Sequence, residues 1–381
     1  MASTRNIGLD YLRSLAIVVV LTNHALIGFF YTTSVVAMQG VLVSFTVSAV
    51  IAIEWLFVLS GFLIGAMMIR SFDKNQGWFK SAKDFWLRRW FRTIPNYYLF
   101  FLVNFLLAIY GVTTDGYIFS PLWFSQNLAW EEENRKFFGE AWSLALDEWF
   151  YLAMPIIVGV LAFSSLSKKA VFILAAIILI IFPTVGRMLH TVPTDFFQWD
   201  EQIRRITIYH LDATGWGVLA AALSKWFPQW WRSRVNEKAL LGVFCMAIGL
   251  FFVIGLVHPR FMSYSLFSVG NAFSITLMSL GTLLVLPWLT RIQFSWAPVM
   301  WITGKLSDSS YSIYLLHFPL IFLFKYFLKI DSASSGFFLF FVVASWFFLV
   351  VFLSGLIFRF FEKPIADLRE NFTKRVDASP F

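Results

Sequence analysis

Long apolar runs separated by short polar clusters dominate the chain. A membrane helix needs about 20 mostly apolar residues to cross a ~30 Å hydrocarbon core. That ruler predicts ten spans, near residues 11–31, 43–69, 94–110, 142–163, 170–186, 206–224, 240–257, 268–289, 311–328 and 336–358. The second is long enough to be tilted or to begin as a surface helix. No internal repeat, low-complexity tract or separate soluble domain interrupts the series. The first apolar run, preceded by Arg5, lacks the small-residue cleavage pattern of a secretory signal. The expected fold class is all-α and integral to the membrane, with residues 1–381 as a single membrane domain.

Composition agrees. Hydrophobic residues make up 59% of the 381 positions and charged residues 14%, with 46 Phe and 17 Trp; an ordinary globular domain carries about 25% charge. A soluble fold has no way to hide that much apolar surface. Disorder, a disulfide scaffold and a coiled coil are excluded by the same numbers, and the single cysteine, Cys245, closes no internal disulfide.

Charge gives the layout an orientation. With the N-terminus in the cytoplasm, 22 of the 30 Lys and Arg fall on the cytoplasmic face, as the positive-inside rule requires. An even number of spans keeps the basic C-terminal tail inside, so ten spans with both termini cytoplasmic is the expectation. The net charge of +8 then reads as lipid-facing anchoring. The basic residues flank spans and form no folded soluble face, so no nucleic-acid partner is expected.

Ionisable groups inside spans mark pathways or sites. Those here are Asp10, Arg13, His24, Glu54, Asp147, Glu148, His210, Asp212 and His317. Arg13 and His24 are eleven residues apart, three helical turns plus about 20°, so they share one face about 16 Å apart. Arg13 would sit at the cytoplasmic rim, with Asp10 one turn before it as a pairing partner, and His24 near the midplane. A buried histidine with a snorkelling arginine fits the spacing equally. Glu54 lies in mid-span, where a carboxylate must be paired, protonated or hydrated; orienting His24 is the role expected of it. Gly61 and Gly65 form a small-xxx-small pair that admits another helix.

Arg88, Arg89 and Arg92 cluster before the third span, where Pro95 fixes or kinks its start. Guanidinium groups make bidentate bonds to phosphate, so the cluster suits a polyphosphate ligand; ordinary cytoplasmic anchoring explains it too. Asp147 and Glu148 open the fourth span, about 100° apart on a helix, a separation that would keep them from serving one small site. The loop 111–141 before them is acidic and aromatic, with Glu131 to Glu133, Trp123 and Trp130; sugar stacking and an interfacial aromatic belt both account for it. Tyr311, Tyr314 and His317 are spaced by three, as cavity-lining or core residues. No Walker loop, GxGxxG, HExxH or GxSxG stands in a credible place, and the five histidines are too scattered to argue for a metal.

With these residues in view, the chain resembles the acyltransferase-3 family of integral membrane acyltransferases, which O-acylate bacterial surface saccharides and some secreted metabolites. The resemblance runs over nearly the whole length. It rests on Arg13 with His24, EWLFVLSGFLIG at 54–65, RRWFR at 88–92, WSLALDEWFYLAMP at 142–155, HLDATGWGVLAA at 210–221, SYSIYLLHFPL at 310–320 and FEKP at 361–364. It implies acetyl-CoA, or another acyl-CoA, as a donor from the cytoplasm, His24 as the catalytic residue and the arginines as donor contacts. Asp147 replaces the family's usual Glu, His210 stands where a basic residue is often seen, and Leu56 replaces an aromatic. Some members carry a fused extracytoplasmic esterase-like domain; none is expected here, so transfer would be direct.

The combined expectation is an O-acyltransferase of a bacterial cytoplasmic membrane. It would acylate a hydroxyl of a surface polysaccharide, a lipid-linked saccharide or glycolipid, or a related glycoside. His24 acts as general base with Glu54 behind it. Arg13, Arg88, Arg89 and Arg92 hold the donor, and Trp142, Asp147, Tyr311, Tyr314 and His317 line the substrate site; no metal takes part. Direct attack and an acyl-histidine intermediate both stay open. The alternative is a transporter or saccharide flippase with His24 and Glu54 as a proton relay.

Overall fold

The computed structural model describes residues 6–30, 38–73, 77–113, 118–130, 137–190, 192–193, 195–257, 264–293, 296–331 and 334–368. The acidic run Glu131 to Glu133 and Arg5 lie outside the described residues. The described chain is helical: α1 (Ile7–Phe30), α2 (Met38–Asp73), α3 (Trp78–Ile109), α4 (Ala141–Ala162) and α5 (Lys168–Leu189) are followed by α6 (Asp212–Trp226), α7 (Val235–Val257), α8 (Tyr264–Leu289), α9 (Ala297–Asp308), α10 (Ser310–Leu328) and α11 (Gly336–Ile357). Among the described residues nine helices are long and apolar enough to cross a membrane.

Two expectations are corrected. The run at 206–224 is not a full span: α6 has 15 residues, about 22 Å at 1.5 Å per residue, short of a ~30 Å core. It is preceded by a π turn at Asp200–Arg204 and a 3-10 turn at Thr207–Tyr209. Side chains hold carbonyls that a helix would have used: His210 Nδ1 meets the Arg204 carbonyl at 2.5 Å, and Arg187 donates to the Tyr209 carbonyl. The basic segment before Pro95 is likewise no separate element. It is the first half of α3, a single helix of 32 residues that continues through Pro95.

Close helix contacts depend on glycine. A Cβ on Gly61 of α2 would collide with the Thr214 carbonyl of α6, and one on Gly217 of α6 with the Val58 carbonyl of α2. The helix admitted by the Gly61–Gly65 pair is therefore α6, through backbone approach that a side chain would prevent. On the other side of the bundle α7 packs along α8, and α1 lies against α2, α9 and α10.

The non-helical approach to α6 is locked by a buried ion pair. Arg187 of α5 and Asp212, both fully buried, meet at 2.6 Å. Arg187 also donates to the Ala272 carbonyl and to Thr276 Oγ1 of α8, and Thr276 donates to Asp212 Oδ2. Removing one member of such a pair strands its partner's charge, at about 3–5 kcal/mol. Asp212→Ala should lower stability by that amount. Arg187→Met should cost no less, since it also strands the Tyr209 and Ala272 carbonyls. Thermal unfolding in detergent checks both, and a change under about 1 kcal/mol in either contradicts the account.

Candidate active site

Five helices, α1, α2, α3, α4 and α10, enclose a cavity of about 230 Å³. Arg13 enters it from α1, Arg89 and Arg92 from α3, Asp147 and Glu148 from α4, and Tyr311 and Tyr314 from α10. The pairs Arg89–Arg92 and Tyr311–Tyr314 are three apart on their helices and so point the same way. Arg88, one residue round α3, is exposed and does not line the cavity. Asp10 and Arg13 meet at Ser307, which donates to Asp10 Oδ1 at 2.7 Å and accepts from Arg13 Nη1 at 3.4 Å.

The two carboxylates of α4 correct the expectation that they would serve different places. Both line this cavity, because the α4 face that lines it, Ser143, Leu144, Asp147, Glu148 and Tyr151, is a stripe wide enough to take in two directions 100° apart. Asp147 Oδ1 accepts from Ser60 Oγ of α2 at 3.0 Å, and Ser60 lies 3.4 Å from Tyr151 Oη. The guanidinium of Arg89 sits 5.8 Å from the Tyr151 ring centre. Its Nε is buried with no hydrogen-bond partner among the described residues. A buried cationic donor with nothing to accept from it is suited to an anionic ligand.

Tyr314 is part of the cavity wall, and its Oη is 2.7 Å from Ser143 Oγ of α4. Next to the Tyr314 ring, at 5.4 Å between centroids, is His317. His317 Nε2 lies 2.8 Å from His24 Nδ1, and the two rings are within 9° of parallel. His24 and His317, from α1 and α10, thus form a pair just beyond the cavity wall, covered by the Phe318 ring at 4.7 Å from His24. Neither histidine lines the cavity itself.

Glu54 does not orient His24. Its Oε1 is 2.7 Å from His210 Nε2 and its Oε2 accepts from Ser279 Oγ at 2.9 Å, all three residues being fully buried. A carboxylate at that depth binds the donors nearest to it, and these come from the approach to α6 and from α8. The Trp142 ring stacks on His210, 6.2 Å between centroids and 20° between planes, and does not line the cavity.

Sequence reasoning passed over the residues around Trp142. The Arg204 guanidinium lies 4.8 Å from that ring centre, and Asp200 accepts from Arg204 at 2.5 Å and from Arg205 at 2.7 Å. Asp200 and its two guanidinium partners lie within electrostatic reach of His24. The i, i+4 spacing of Asp200 and Arg204 was the available signal. Ser60 and Ser143 offered none, being small polar residues in apolar runs.

A family model described as an acyltransferase domain matches residues 6–359. Peptidoglycan O-acetyltransferase OatA of Listeria monocytogenes is 26% identical over 384 aligned residues, covering 94% of this chain and 55% of that protein. O-acetyltransferase OatA of Staphylococcus aureus is 24% identical over 307 residues, covering 71% of this chain and 46% of that protein. The chain spans about half the length of the curated relatives it matches. No solved structure matches it.

Glu140, at the N-terminal end of α4 one turn before Ser143, is 2% exposed. Burial pushes its carboxyl up to about 8. It is therefore neutral in the fold at pH 6, whereas the unfolded chain ionises it near 4.5. The stabilisation from the neutral group is complete below pH ~4.5 and is lost as the pH rises toward ~8. Wild type should lose stability across that window relative to Glu140→Gln, measured by thermal unfolding from pH 5 to 8.5. Parallel curves for the two proteins would rule this out.

Proposed function

The chain belongs to the acyltransferase-3 family, and from that premise we propose that it is a membrane O-acetyltransferase of the bacterial cytoplasmic membrane. It moves an acetyl group from a cytoplasmic acyl-CoA to a hydroxyl of a cell-surface saccharide. The Listeria relative is named a peptidoglycan O-acetyltransferase and the Staphylococcus relative an O-acetyltransferase, and the acceptor proposed here is a cell-surface saccharide of that class. Both termini lie on the cytoplasmic side in this reading, as the distribution of Lys and Arg indicates, with α6 and the turns that precede it together making a tenth crossing beside the nine long helices.

The observation that carries the reading is a cavity lined by three arginines, one with a buried unpartnered donor, and by Tyr314, whose ring lies next to a histidine pair. Arg89, Arg92 and Arg13 bind the phosphates of the donor, for which planar guanidinium groups are suited. The pantetheine arm then runs along the cavity toward Tyr314. Asp147 and Glu148 face the same space and accept hydrogen bonds from its amide and hydroxyl groups. At the far end the acceptor oxygen attacks the thioester carbon, and His24 removes its proton. The carbon–sulfur bond breaks as the carbon–oxygen bond forms, and the proton passes from His24 to the thiolate. No net charge is created. Glu54 serves through His210, which holds the carbonyl of Arg204 and so the charged Asp200–Arg205 segment beside His24.

Purified protein incubated with acetyl-labelled acetyl-CoA and a saccharide acceptor should transfer label. His24→Ala should lower kcat by about 10²–10⁴-fold, the usual contribution of a general base. Arg89→Ala and Arg92→Ala should instead raise KM for the donor about tenfold or more, the loss of one charge-assisted contact of roughly 1.5–3 kcal/mol. Label transfer by His24→Ala at the wild-type rate would end the proposal, and saccharide movement without transfer would favour a transporter.

A further inference from the structure

We infer that His317 is a positioning residue that fixes His24 in a single tautomer, with the proton on Nδ1 and the lone pair of Nε2 presented to the acceptor hydroxyl. The inference rests on the reading of His24 as the base and adds which of its nitrogens reacts and what selects it.

The chain of hydrogen bonds starts from a group that can only accept. The Tyr314 carbonyl lies 2.5 Å from His317 Nδ1, so that nitrogen carries a proton. A neutral imidazole has one N–H, and His317 Nε2 is therefore an acceptor. His24 Nδ1 stands 2.8 Å from it and must be the donor. Its own single proton is then placed, and Nε2 of His24 is left with a free lone pair. The 9° angle between the rings lets the N–H of one lie close to the lone-pair plane of the other.

The surroundings keep the order from reversing. His317 is fully buried. The Trp346 indole N–H donates to its carbonyl at 3.2 Å, tying that turn of α10 to α11. Phe318 packs against both rings, at 4.5 Å from His317 and 4.7 Å from His24. Turning His317 over would break its bond to the Tyr314 carbonyl inside that packing.

The step balances. The acceptor O–H proton moves to His24 Nε2 while the new C–O bond forms and the C–S bond breaks. His24 then holds two N–H groups, and Nδ1–H keeps donating to His317 Nε2 throughout. His317 takes no proton of its own; it orients the ring and stabilises the cation, the part an aspartate plays in a Ser-His-Asp triad. The proton leaves from Nε2 to the thiolate sulfur, and His24 returns to its starting tautomer.

The chain has five histidines, so protein labelled with ring-15N histidine gives an interpretable spectrum once single His→Gln variants assign each ring. Wild-type His24 should show Nδ1 protonated and Nε2 bare, with no substrate present. His317→Ala should return His24 to a mixture of tautomers and lower kcat by about 10²-fold or more, with KM for acetyl-CoA unchanged. His317→Gln places a carbonyl acceptor near the same N–H and should restore both the tautomer and most of the rate. His24 found with its proton on Nε2, or His317→Ala within threefold of wild-type kcat, overturns the role of His317. Wild-type protein that shows the expected tautomer but transfers no acetyl group overturns the reading of His24 as the base.

Discussion

Between Asp200 and Asp212 the backbone is not regular α-helix, although it lies buried among membrane-crossing helices. Such a stretch survives only if its polar groups find partners within the protein. Here the partners are side chains: His210 takes the Arg204 carbonyl and Arg187 takes that of Tyr209. Each of those side chains is in turn held by a carboxylate, Glu54 for His210 and Asp212 for Arg187. The start and length of α6, its fit into the glycines of α2, and the place of Arg204 beside Trp142 all follow from these satisfied carbonyls.

How far the sequence could be read depends on where each residue's partner lies. The apolar runs were legible because lipid imposes one length and one polarity on every crossing. The Arg13–His24 line and the Arg89–Arg92 pair were legible because both members share one helix and helical periodicity fixes their direction. The partner of Glu54 was not legible. It stands 156 residues away, and nothing local distinguishes His210 from His24 as the imidazole it meets. The short α6 was hidden for a related reason: residues 206–224 are apolar enough for a span, and only tertiary bonds to Arg187 and His210 stop the helix at Asp212. Asp147 and Glu148 failed differently. Their angular separation was right, but the stripe of α4 that lines the cavity is wide enough to include both.

The cavity gathers unlike charges. Asp147 has Ser60 as a hydrogen-bond donor, and Arg89 Nε has no partner among the described residues. A fully satisfied network of this kind would be rigid and closed to ligands. One left with donors facing an internal space keeps its desolvation cost until an anion arrives. Structural polar groups elsewhere behave the opposite way, as Arg187 does with every nitrogen engaged. Degree of satisfaction, more than the mere presence of charge inside the membrane, separates Arg89, with its unpartnered Nε at the cavity, from Arg187.

The same comparison explains why an imidazole, and not a carboxylate, stands behind His24. Two structural clusters in the bundle are a pairing of opposite charges, Arg187 with Asp212, and one of a carboxyl with an imidazole, Glu54 with His210. Such pairs can be buried because each partner satisfies the other. In the proposed reaction His24 must gain a proton during each turnover, and such a base faces a different requirement. With a carboxylate partner it would carry a negative charge at rest, at a depth where an isolated charge is costly, or would keep the proton and lose its basicity. With His317 the resting pair is neutral, and a single positive charge exists only while the proton is in transit. That transient cation is spread over the inner ring by the Nδ1–H bond.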